Sequence, residues 1–325
     1  ACSLACPHCR ASACPTRPEG ELTTDEGKKL LREAARVGPG IVILSGGEPL
    51  LRDDLELLAA AATSNGQTPV VSTNDGAMLT AARIDSLKTA GVRRFSFSIH
   101  GPSADFHDPF VGRPGAFDQA CGAFDRLREA AVEFQVNTTV MHANCERLDE
   151  MHAFAIARGA VAWHLFFIVP MGRAAGDTGG AMLGDRDVER VLEWVARVAD
   201  ASPIPIKVTC APQYARVRAK LGLKQTGHGR GCMAGDGFAF VSARGEVRPC
   251  GYFERTAGNV RERAFDELYL DSQLFNDLRD LDRLEGRCGV CPYKRMCGGC
   301  RARALAVEGT YMAGDPTCTF HPSQR

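Results

Sequence analysis

Three cysteines near the start of the chain have a spacing typical of iron–sulfur ligands. Cys2, Cys6 and Cys9 form a C-x3-C-x2-C motif. Three thiolates can hold a [4Fe–4S] cubane and leave one iron without a protein ligand, and that iron is free to bind a small chelating molecule. Zinc is the alternative, but zinc sites usually pair two C-x2-C knuckles, and no second knuckle lies near Cys6 and Cys9 in the sequence. Cys14 is off this spacing and is interpreted as a bystander thiol.

A second group of cysteines lies towards the end of the chain. It consists of Cys232, Cys250, Cys288, Cys291, Cys297, Cys300 and Cys318. A disulfide framework suits short secreted chains better than a chain of 325 residues with 14 cysteines at ligand-like spacing. The pattern therefore favours metal binding and predicts a reducing, cytoplasmic setting. Cys121 and Cys145 are interpreted as inert thiols, and Cys210 as a remote candidate for a further ligand.

The charge and hydropathy of the chain argue against two classes of partner. Lys plus Arg and Asp plus Glu both number 39, so no net field draws the protein to nucleic acid or to an acidic membrane. No run approaches the roughly 18 apolar residues of a membrane span. We therefore expect no nucleic-acid partner and no membrane partner, while a local group of arginines can still bind a small anion.

Up to about residue 210 the chain alternates buried strands with amphipathic helices. Apolar runs predict strands at residues 41–45, 69–72, 94–99, 133–140 and 162–167. Helical patterns occupy residues 25–37, 55–64, 81–90, 117–130, 146–158 and 185–200, the first with a capping box at Thr23 and Glu26. This alternation predicts a parallel sheet, and a sixth strand is expected before Cys2. We predict an α/β fold, a partial (β/α)6 TIM-like barrel over residues 1–210, with its site at the carboxyl ends of the strands.

The character of the chain changes after the barrel. Residues 211–325 are predicted to form a linker helix and a small Cys-rich domain. Within it, residues 238–241 and 246–249 predict a hairpin and residues 264–279 a helix. This region has little apolar material for a core, so bound metal must supply much of its stability.

The residues between the cysteine groups resemble those of the radical SAM superfamily, which cleaves S-adenosylmethionine (SAM) reductively to a 5′-deoxyadenosyl radical. Ser45-Gly46-Gly47-Glu48-Pro49 is similar to the superfamily's GGEP motif, and Ser72-Thr73-Asn74 to a segment near the SAM ribose. The resemblance implies that Cys2, Cys6 and Cys9 hold the catalytic [4Fe–4S] cluster. It implies SAM-binding roles for His8, Gly46, Gly47, Glu48, Pro49, Ser72, Asn74, Ser98 and Arg113.

Two of these roles are specific. Glu48 is expected to hold the SAM amino group. Arg113 is expected to pair with the SAM carboxylate, although it stands two residues beyond the usual position, which Val111 occupies. Alternation along strands also predicts that Ser96, Ser98, His100, Asn137 and Thr139 point into the barrel.

The C-terminal cysteines resemble the SPASM domain, the auxiliary-cluster module of many radical SAM enzymes. The match departs from the usual pattern only in the last spacing, x2 instead of x3 between Cys297 and Cys300. The resemblance implies one auxiliary [4Fe–4S] cluster on Cys288, Cys291, Cys297 and Cys318. It implies a second on Cys232, Cys250 and Cys300, which leaves that cluster with an open iron, with a further ligand, or unformed.

Three segments resemble the radical SAM enzymes that modify tetrapyrroles: residues 6–13, 164–173 and 286–304. That subgroup includes a haem synthase that oxidatively decarboxylates two propionates of iron-coproporphyrin III to vinyl groups. Its sister enzyme removes two propionates from a didecarboxysirohaem in haem d1 biosynthesis. The resemblance implies iron-coproporphyrin III or a related tetrapyrrole as substrate, an auxiliary cluster as electron acceptor, and an external low-potential donor such as flavodoxin or ferredoxin.

Carboxylates on such a substrate favour guanidinium partners. The candidate substrate contacts are Arg10, His164, Arg173, Arg301 and Arg303, with an apolar slot formed by Phe166, Phe167, Val169 and Met171. The alternative for the arginines is surface salt bridges, and for His164 a buried structural role. Two other functions stay open: a SPASM peptide maturase, and an iron–sulfur electron carrier. An electron carrier does not need an open iron, so the three-cysteine motif followed by Gly-Gly-Glu-Pro argues against that function.

Overall fold

Six parallel strands form the main sheet of the molecule. They are β1 (Ile41–Leu44), β2 (Thr68–Ser72), β3 (Arg94–Ser98), β4 (Glu133–Val140), β5 (Trp163–Phe167) and β6 (Ile206–Thr209). The computed structural model describes residues 1–176, 180–225 and 230–322. Because the strands lie in space in the order of the sequence, successive crossovers advance around one curved sheet, and the predicted partial barrel is confirmed.

A further strand follows the five that the sequence predicted: β6 pairs with β5, with Ile206 opposite Trp163. The strand expected before Cys2 would lie outside this chain or at its very edge and stays a prediction. The prediction missed β6 because the strand has only four residues, of which one is Lys207, and prolines precede it. Such a short interrupted run gives almost no period-2 signal.

Helices cover the outer face of the sheet and continue into the C-terminal part. They are α1 (Thr24–Val37), α2 (Leu55–Ser64), α3 (Ala81–Thr89), α4 (Ala104–Val111), α5 (Ala116–Glu129), α6 (Leu148–Ala157), α7 (Asp185–Ala199), α8 (Tyr214–Lys220), α9 (Phe265–Asp271), α10 (Gln273–Arg279), α11 (Gly286–Gly289) and α12 (Arg301–Glu308). The capping box of α1 is confirmed, since Thr23 and Glu26 each accept from the other's backbone N–H.

Two helix predictions were wrong in detail. The helix predicted over residues 264–279 is two helices, because Ser272 takes an extended conformation between α9 and α10. Helix α4 was missed, since Pro109 lies inside it and proline argues against a helix interior.

The two faces of the barrel sheet have opposite chemistry. On the outer face Phe95, Phe97, Phe134 and Trp163 are almost fully buried under the helices. Phe97 and Phe134 both pack on Phe124 of α5, with ring centroids 5.1 and 4.4 Å apart. The inner face carries polar side chains instead. The hydrophobic core therefore fixes the strands from outside and leaves the lumen free for chemistry.

The C-terminal part contains a three-stranded antiparallel sheet of β7 (Phe240–Val241), β8 (Glu246–Arg248) and β9 (Gly258–Asn259). The predicted hairpin is confirmed as β7–β8. This sheet packs on α1 through an apolar cluster that includes Leu22, Val247 and Phe265. The backbone N–H of Phe265 also donates to the buried Glu33 carboxylate at 3.0 Å. Helix α1 is therefore shared by the barrel and the C-terminal sheet.

No helix of the described ranges is long and apolar enough to cross a bilayer.

Truncation of the outer face should cost much more stability than truncation of the sheet edge. Phe97→Ala removes a fully buried ring and should lower the free energy of unfolding by about 3–5 kcal/mol. Ile43→Ala, at a side chain that is 52% exposed on β1, should change it by less than about 0.5 kcal/mol. Anaerobic urea titrations followed by circular dichroism measure both. Equal losses in the two variants would contradict the assignment of the faces.

Candidate functional site

The loop that carries Cys2, Cys6 and Cys9 is fixed at the carboxyl edge of the sheet. The N–H of Cys2 donates to the carbonyl of Cys14 at 2.8 Å, which closes the loop. The N–H of Glu48 donates to the carbonyl of Ala1 at 2.7 Å and ties the loop to the segment after β1. The N–H of Ala5 donates to the carbonyl of Val111 at 2.9 Å, which adds the end of α4.

Without a bound cation, burial favours the protonated forms of Cys2 and Cys6. Burial first, and then the neighbouring Cys2 and Cys9, raise the pKa of Cys6 to about 12. Burial, Glu48 and Cys9 likewise raise the pKa of Cys2, against the N–H of Leu4, which donates to its sulfur. Three thiolates this close repel one another unless a cation lies between them, so iron ions fit the donor set.

The thiols do not converge as the ligands of a single ion do. In the described ranges no group of three or more His, Cys, Asp or Glu side chains has the arrangement of a one-ion site. A cubane binds each thiolate at a different iron, so its ligands surround a larger object. All 14 cysteines are free thiols, and the disulfide framework is excluded.

The Gly46-Gly47 pair lets the backbone after β1 meet the cysteine loop. A Cβ on Gly47 would lie 2.2 Å from the carbonyl oxygen of Ala1, so no larger residue fits there. Gly46 has φ +153° and has open space on its side-chain side. The motif therefore permits a close main-chain contact on one side and leaves an exposed backbone on the other.

The Glu48 carboxylate is a buried hydrogen-bond acceptor at the ends of β1 and β2. One oxygen accepts from the N–H of Leu50 at 3.0 Å and from the hydroxyl of Thr73 at 2.7 Å. The other accepts from the N–H groups of Asn74 at 2.9 Å and Asp75 at 3.0 Å. Burial raises the pKa of Glu48, and these donors oppose the rise. Glu48 thus joins two strand ends, and its contact with SAM stays a prediction.

Asn74 continues this chain of contacts to the next strand. Its side-chain oxygen accepts from the N–H of Ser98 at 2.8 Å. The structure thus brings three predicted SAM-binding residues, Glu48, Asn74 and Ser98, to one edge of the sheet. Ser72 lies beside Ser96 on the same face.

Arg113 has a carboxylate partner within the protein. Its guanidinium donates to both oxygens of Asp75, at 2.6 and 3.0 Å, and to the hydroxyl of Ser3 at 2.9 Å. Burial alone would raise the pKa of Asp75, but the hydrogen bonds from Arg113 and Ser3 outweigh it and lower that pKa. The expected pairing of Arg113 with SAM stays a prediction. The sequence motifs did not indicate Asp75, although it directly follows Ser-Thr-Asn.

Four aromatic rings, two of them buried and two half-buried, pack together next to the cysteine loop. The His8 ring stacks on Phe110 with centroids 4.9 Å apart and meets His100 edge-on at 4.7 Å. Burial, with a smaller effect of Arg173, lowers the pKa of His8 to about 4, so the ring is neutral at physiological pH. The His100 N–H donates to Nδ1 of His107 at 3.2 Å. Of these four rings only His8 was predicted as a site residue; His100 was predicted to face the barrel.

Polar side chains line the lumen in the predicted register. Ser98 lies opposite Asn137, Asn137 opposite His164, and His164 opposite Lys207. The Gln135 amide donates to the Asn137 side chain at 2.9 Å and lies 3.2 Å from Nδ1 of His164. Burial lowers the pKa of His164 to about 4. The structure therefore brings His164 into the lumen as a neutral ring.

The predicted apolar slot was wrong for Phe167, and its other three residues stay a prediction. Phe167 faces the helices and belongs to the barrel core, because neighbours along a strand point to opposite faces. Val169 packs with Phe253 and Cys300, and Met171 is also buried. Phe166 is half-buried and lies opposite Thr139 and Thr209 on the lumen side.

Arg10 and Arg173 hold the cysteine loop from two directions. Arg173 donates to the carbonyls of Cys6 at 2.8 Å and Ala13 at 2.7 Å. Arg10 donates to the carbonyl of Gly251 at 3.2 Å, and its guanidinium lies 4.5 Å from the centre of the Phe240 ring. Both residues therefore lie where the loop meets other parts of the molecule.

Arg301 and Arg303 are buried instead. Arg301 donates to the carbonyls of Tyr311 at 2.8 Å and Ala313 at 2.7 Å. Arg303 donates to the carbonyl of Ile168 at 3.0 Å and pairs with Asp315 at 3.5 Å. Both guanidinium groups are 2–3% exposed. The surface salt bridges weighed as the alternative are wrong for these two arginines, and their contact with substrate stays a prediction.

The C-terminal thiols fall into two groups. The first group consists of Cys288, Cys291, Cys297 and Cys318, and each of these thiols has another member of the group as an electrostatic neighbour. The second group consists of Cys232, Cys250 and Cys300, whose thiols are likewise electrostatic neighbours of one another. The N–H of Cys232 donates to the carbonyl of Cys297 at 3.1 Å, so the two groups adjoin.

Comparison with known proteins finds matches for two parts of the chain. Residues 1–155 match the radical SAM superfamily, and residues 232–301 match an iron–sulfur cluster-binding domain, SPASM. A protein named AdoMet-dependent heme synthase from Methanosarcina barkeri is 43% identical over 335 residues, covering 100% of this chain and 95% of that protein. One of the same name from Oleidesulfovibrio alaskensis is 42% identical, covering 100% and 86%.

A solved structure with the same fold is Streptococcus suis SuiB bound to precursor peptide SuiA. It superposes with a TM-score of 0.78 at 16% identity, covering 98% of this chain and 74% of that one. At that identity the likeness concerns the fold alone.

The half-barrel, the cysteine loop on its carboxyl edge and these matches define a radical SAM enzyme that uses SAM and [4Fe–4S] clusters. Within that class, the chain belongs to the family of AdoMet-dependent haem synthases.

Replacement of the Glu48 carboxylate should weaken both the strand edge and SAM binding. In Glu48→Gln one oxygen becomes an NH2 group that faces two hydrogen-bond donors. This mismatch should cost about 1–3 kcal/mol and should lower SAM affinity measured by equilibrium dialysis. Glu129→Gln, at an exposed residue of α5, is the matched control. Unchanged stability and SAM affinity in Glu48→Gln would argue against this role.

Proposed function

We propose that this enzyme converts two propionates of iron-coproporphyrin III to vinyl groups and so produces haem b. The observation that carries the proposal is the full-length likeness to AdoMet-dependent heme synthases at 42–43% identity. Each conversion removes CO2, one hydrogen atom from the propionate carbon next to the ring, and one electron.

The cluster ligands are part of the proposal. Cys2, Cys6 and Cys9 hold the SAM cluster, and Cys288, Cys291, Cys297 and Cys318 hold one auxiliary cluster. Cys232, Cys250 and Cys300 hold a second. When bound, the SAM cluster would supply the electron that cleaves SAM to the hydrogen-abstracting 5′-deoxyadenosyl radical. An auxiliary cluster would accept the electron left on the substrate. An external low-potential donor such as flavodoxin or ferredoxin reduces the SAM cluster.

The protein residues around the loop have separable tasks. Arg173 fixes the Cys6 carbonyl from the side of β5, and the Asp75–Arg113 pair fixes Ser3 from the side of β2. The half-buried rings of His8 and Phe110 stack on each other beside the loop. These contacts orient the thiols and leave the lumen side for SAM and the tetrapyrrole.

Turnover of defined tetrapyrroles tests the proposal. The anaerobic enzyme with SAM and a reductant should convert iron-coproporphyrin III to haem b, with loss of two molecules of CO2 detected by mass spectrometry. Cys6→Ala should form no 5′-deoxyadenosine yet keep its C-terminal iron, because the two thiol regions are separate in the chain. Conversion of a didecarboxysirohaem alone would replace the proposal with the haem d1 reaction.

Arg173 allows a finer test of substrate binding. Iron-coproporphyrin III should bind in the micromolar range, about 8 kcal/mol, with a shifted Soret band. If one Arg173 nitrogen pairs with a propionate, Arg173→Ala should weaken binding by about 1.5–3 kcal/mol.

Since Arg173 also holds the cysteine loop, the iron content of the variant has to be measured in parallel. A titration of cluster-replete enzyme without spectral change up to millimolar porphyrin would reject the tetrapyrrole substrate and favour a peptide.

A further inference from the structure

A fourth cysteine lies against the three thiols of the second auxiliary group. Cys210 directly follows β6, 22 residues before Cys232 in the sequence. Its thiol is a neighbour of the thiols of Cys300 and Cys250. It packs against the apolar cluster that contains Val169, Phe253 and Cys300. The fold therefore joins a barrel thiol to three thiols of the C-terminal region.

The backbone of Cys210 is strained in a way that presents this thiol. Its φ is +64°, in the left-handed region that favours glycine. A residue other than glycine adopts this conformation at a cost in free energy, so the surrounding contacts must hold Cys210 in it. One of these contacts is that of its thiol with Cys300. Glycine, the residue best suited to this backbone, would not make it.

A buried cation lies beside Cys210 and Cys300. The Arg303 side chain is 2% exposed, lies close to both sulfur atoms, and is held there by Asp315 and the carbonyl of Ile168. A guanidinium at this position opposes the negative charge that thiolate ligands of a cluster bring into the interior. The surroundings of the two sulfur atoms therefore suit metal-bound thiolates.

We propose that Cys210 is the fourth ligand of the cluster held by Cys232, Cys250 and Cys300. The inference rests on the second auxiliary cluster of the proposed function and defines its coordination. With four cysteines the cluster has no iron left for substrate or for an exogenous ligand. Its task is then electron transfer, and it does not bind the tetrapyrrole directly.

Cys210→Gly is the informative variant, because glycine suits φ +64° and removes only the thiol. It is made in the Cys6→Ala background, where the SAM cluster cannot interfere. In Cys6→Ala alone, cyanide should leave the electron paramagnetic resonance spectrum of the reduced clusters unchanged. In Cys6→Ala/Cys210→Gly, cyanide should shift part of the spectrum, and mild oxidation should release about one iron per chain as an open cubane corner is lost.

Cys121→Ala in the same background is the control, since Cys121 is buried in α5 and belongs to neither thiol group. It should behave as the parent. Cys210→Ser should keep the cluster but lower its reduction potential, because an alkoxide replaces a thiolate. A cyanide response already present in Cys6→Ala, unchanged by Cys210→Gly, would show an open iron and overturn the proposal.

Cys6→Ala/Cys250→Ala separates this inference from the proposed function. It should contain about four fewer irons per chain than Cys6→Ala. Equal iron in both would mean that the second auxiliary cluster does not form, which removes that part of the proposed function together with the ligand role of Cys210. If the Cys250 variant contains less iron but Cys210→Gly changes neither the cyanide response nor the iron released, the second auxiliary cluster forms and Cys210 is not its ligand.

Discussion

A carboxylate buried at the ends of two strands organises the catalytic edge of this molecule. Glu48 cannot leave its charge unpaired in the interior, so it gathers four donors from its own segment and from the end of β2. Its backbone N–H at the same time holds the start of the cysteine loop. Further contacts extend from Asn74 to β3 and from Asp75 through Arg113 back to Ser3. The loop, three strand ends and α4 are thus parts of one polar network.

The cysteine loop also meets the C-terminal region directly. Arg10, next to Cys9, binds the carbonyl of Gly251, next to Cys250. Its guanidinium lies 5.8 Å from the centre of the Tyr252 ring, and Tyr252 is in turn an electrostatic neighbour of Cys9, Cys210 and Cys250. A few residues therefore separate the barrel thiols from the second C-terminal group. This proximity gives an electron a short path along the protein between the two thiol regions.

The sequence predicted what depends on local periodicity and on motif spacing. Five strands of the barrel and the capping box of α1 follow from such signals, as does the polar lining at Ser98 and Asn137. It failed where long-range contacts decide. Strand β6 is too short to show a period. The pairing of Arg113 with Asp75 depends on tertiary structure, because the two residues are 38 positions apart in the sequence. Arg301 and Arg303 look like surface cations in the sequence, but the fold buries them among carbonyls.

The arrangement of the C-terminal thiols has an evolutionary consequence. Cys297 and Cys300 are three residues apart but belong to different groups. In the same way, Asp315 accepts from the N–H of Cys300, whereas Cys318, three residues later, belongs to the group of Cys297. A lineage cannot delete the segment of one group without damaging the other. Under the proposed ligand sets, point substitution at Cys210, Cys232 or Cys250, which lie outside the shared segment, removes one cluster and leaves the other. Descendants with a reduced set of centres should retain the interleaved segment as a vestige.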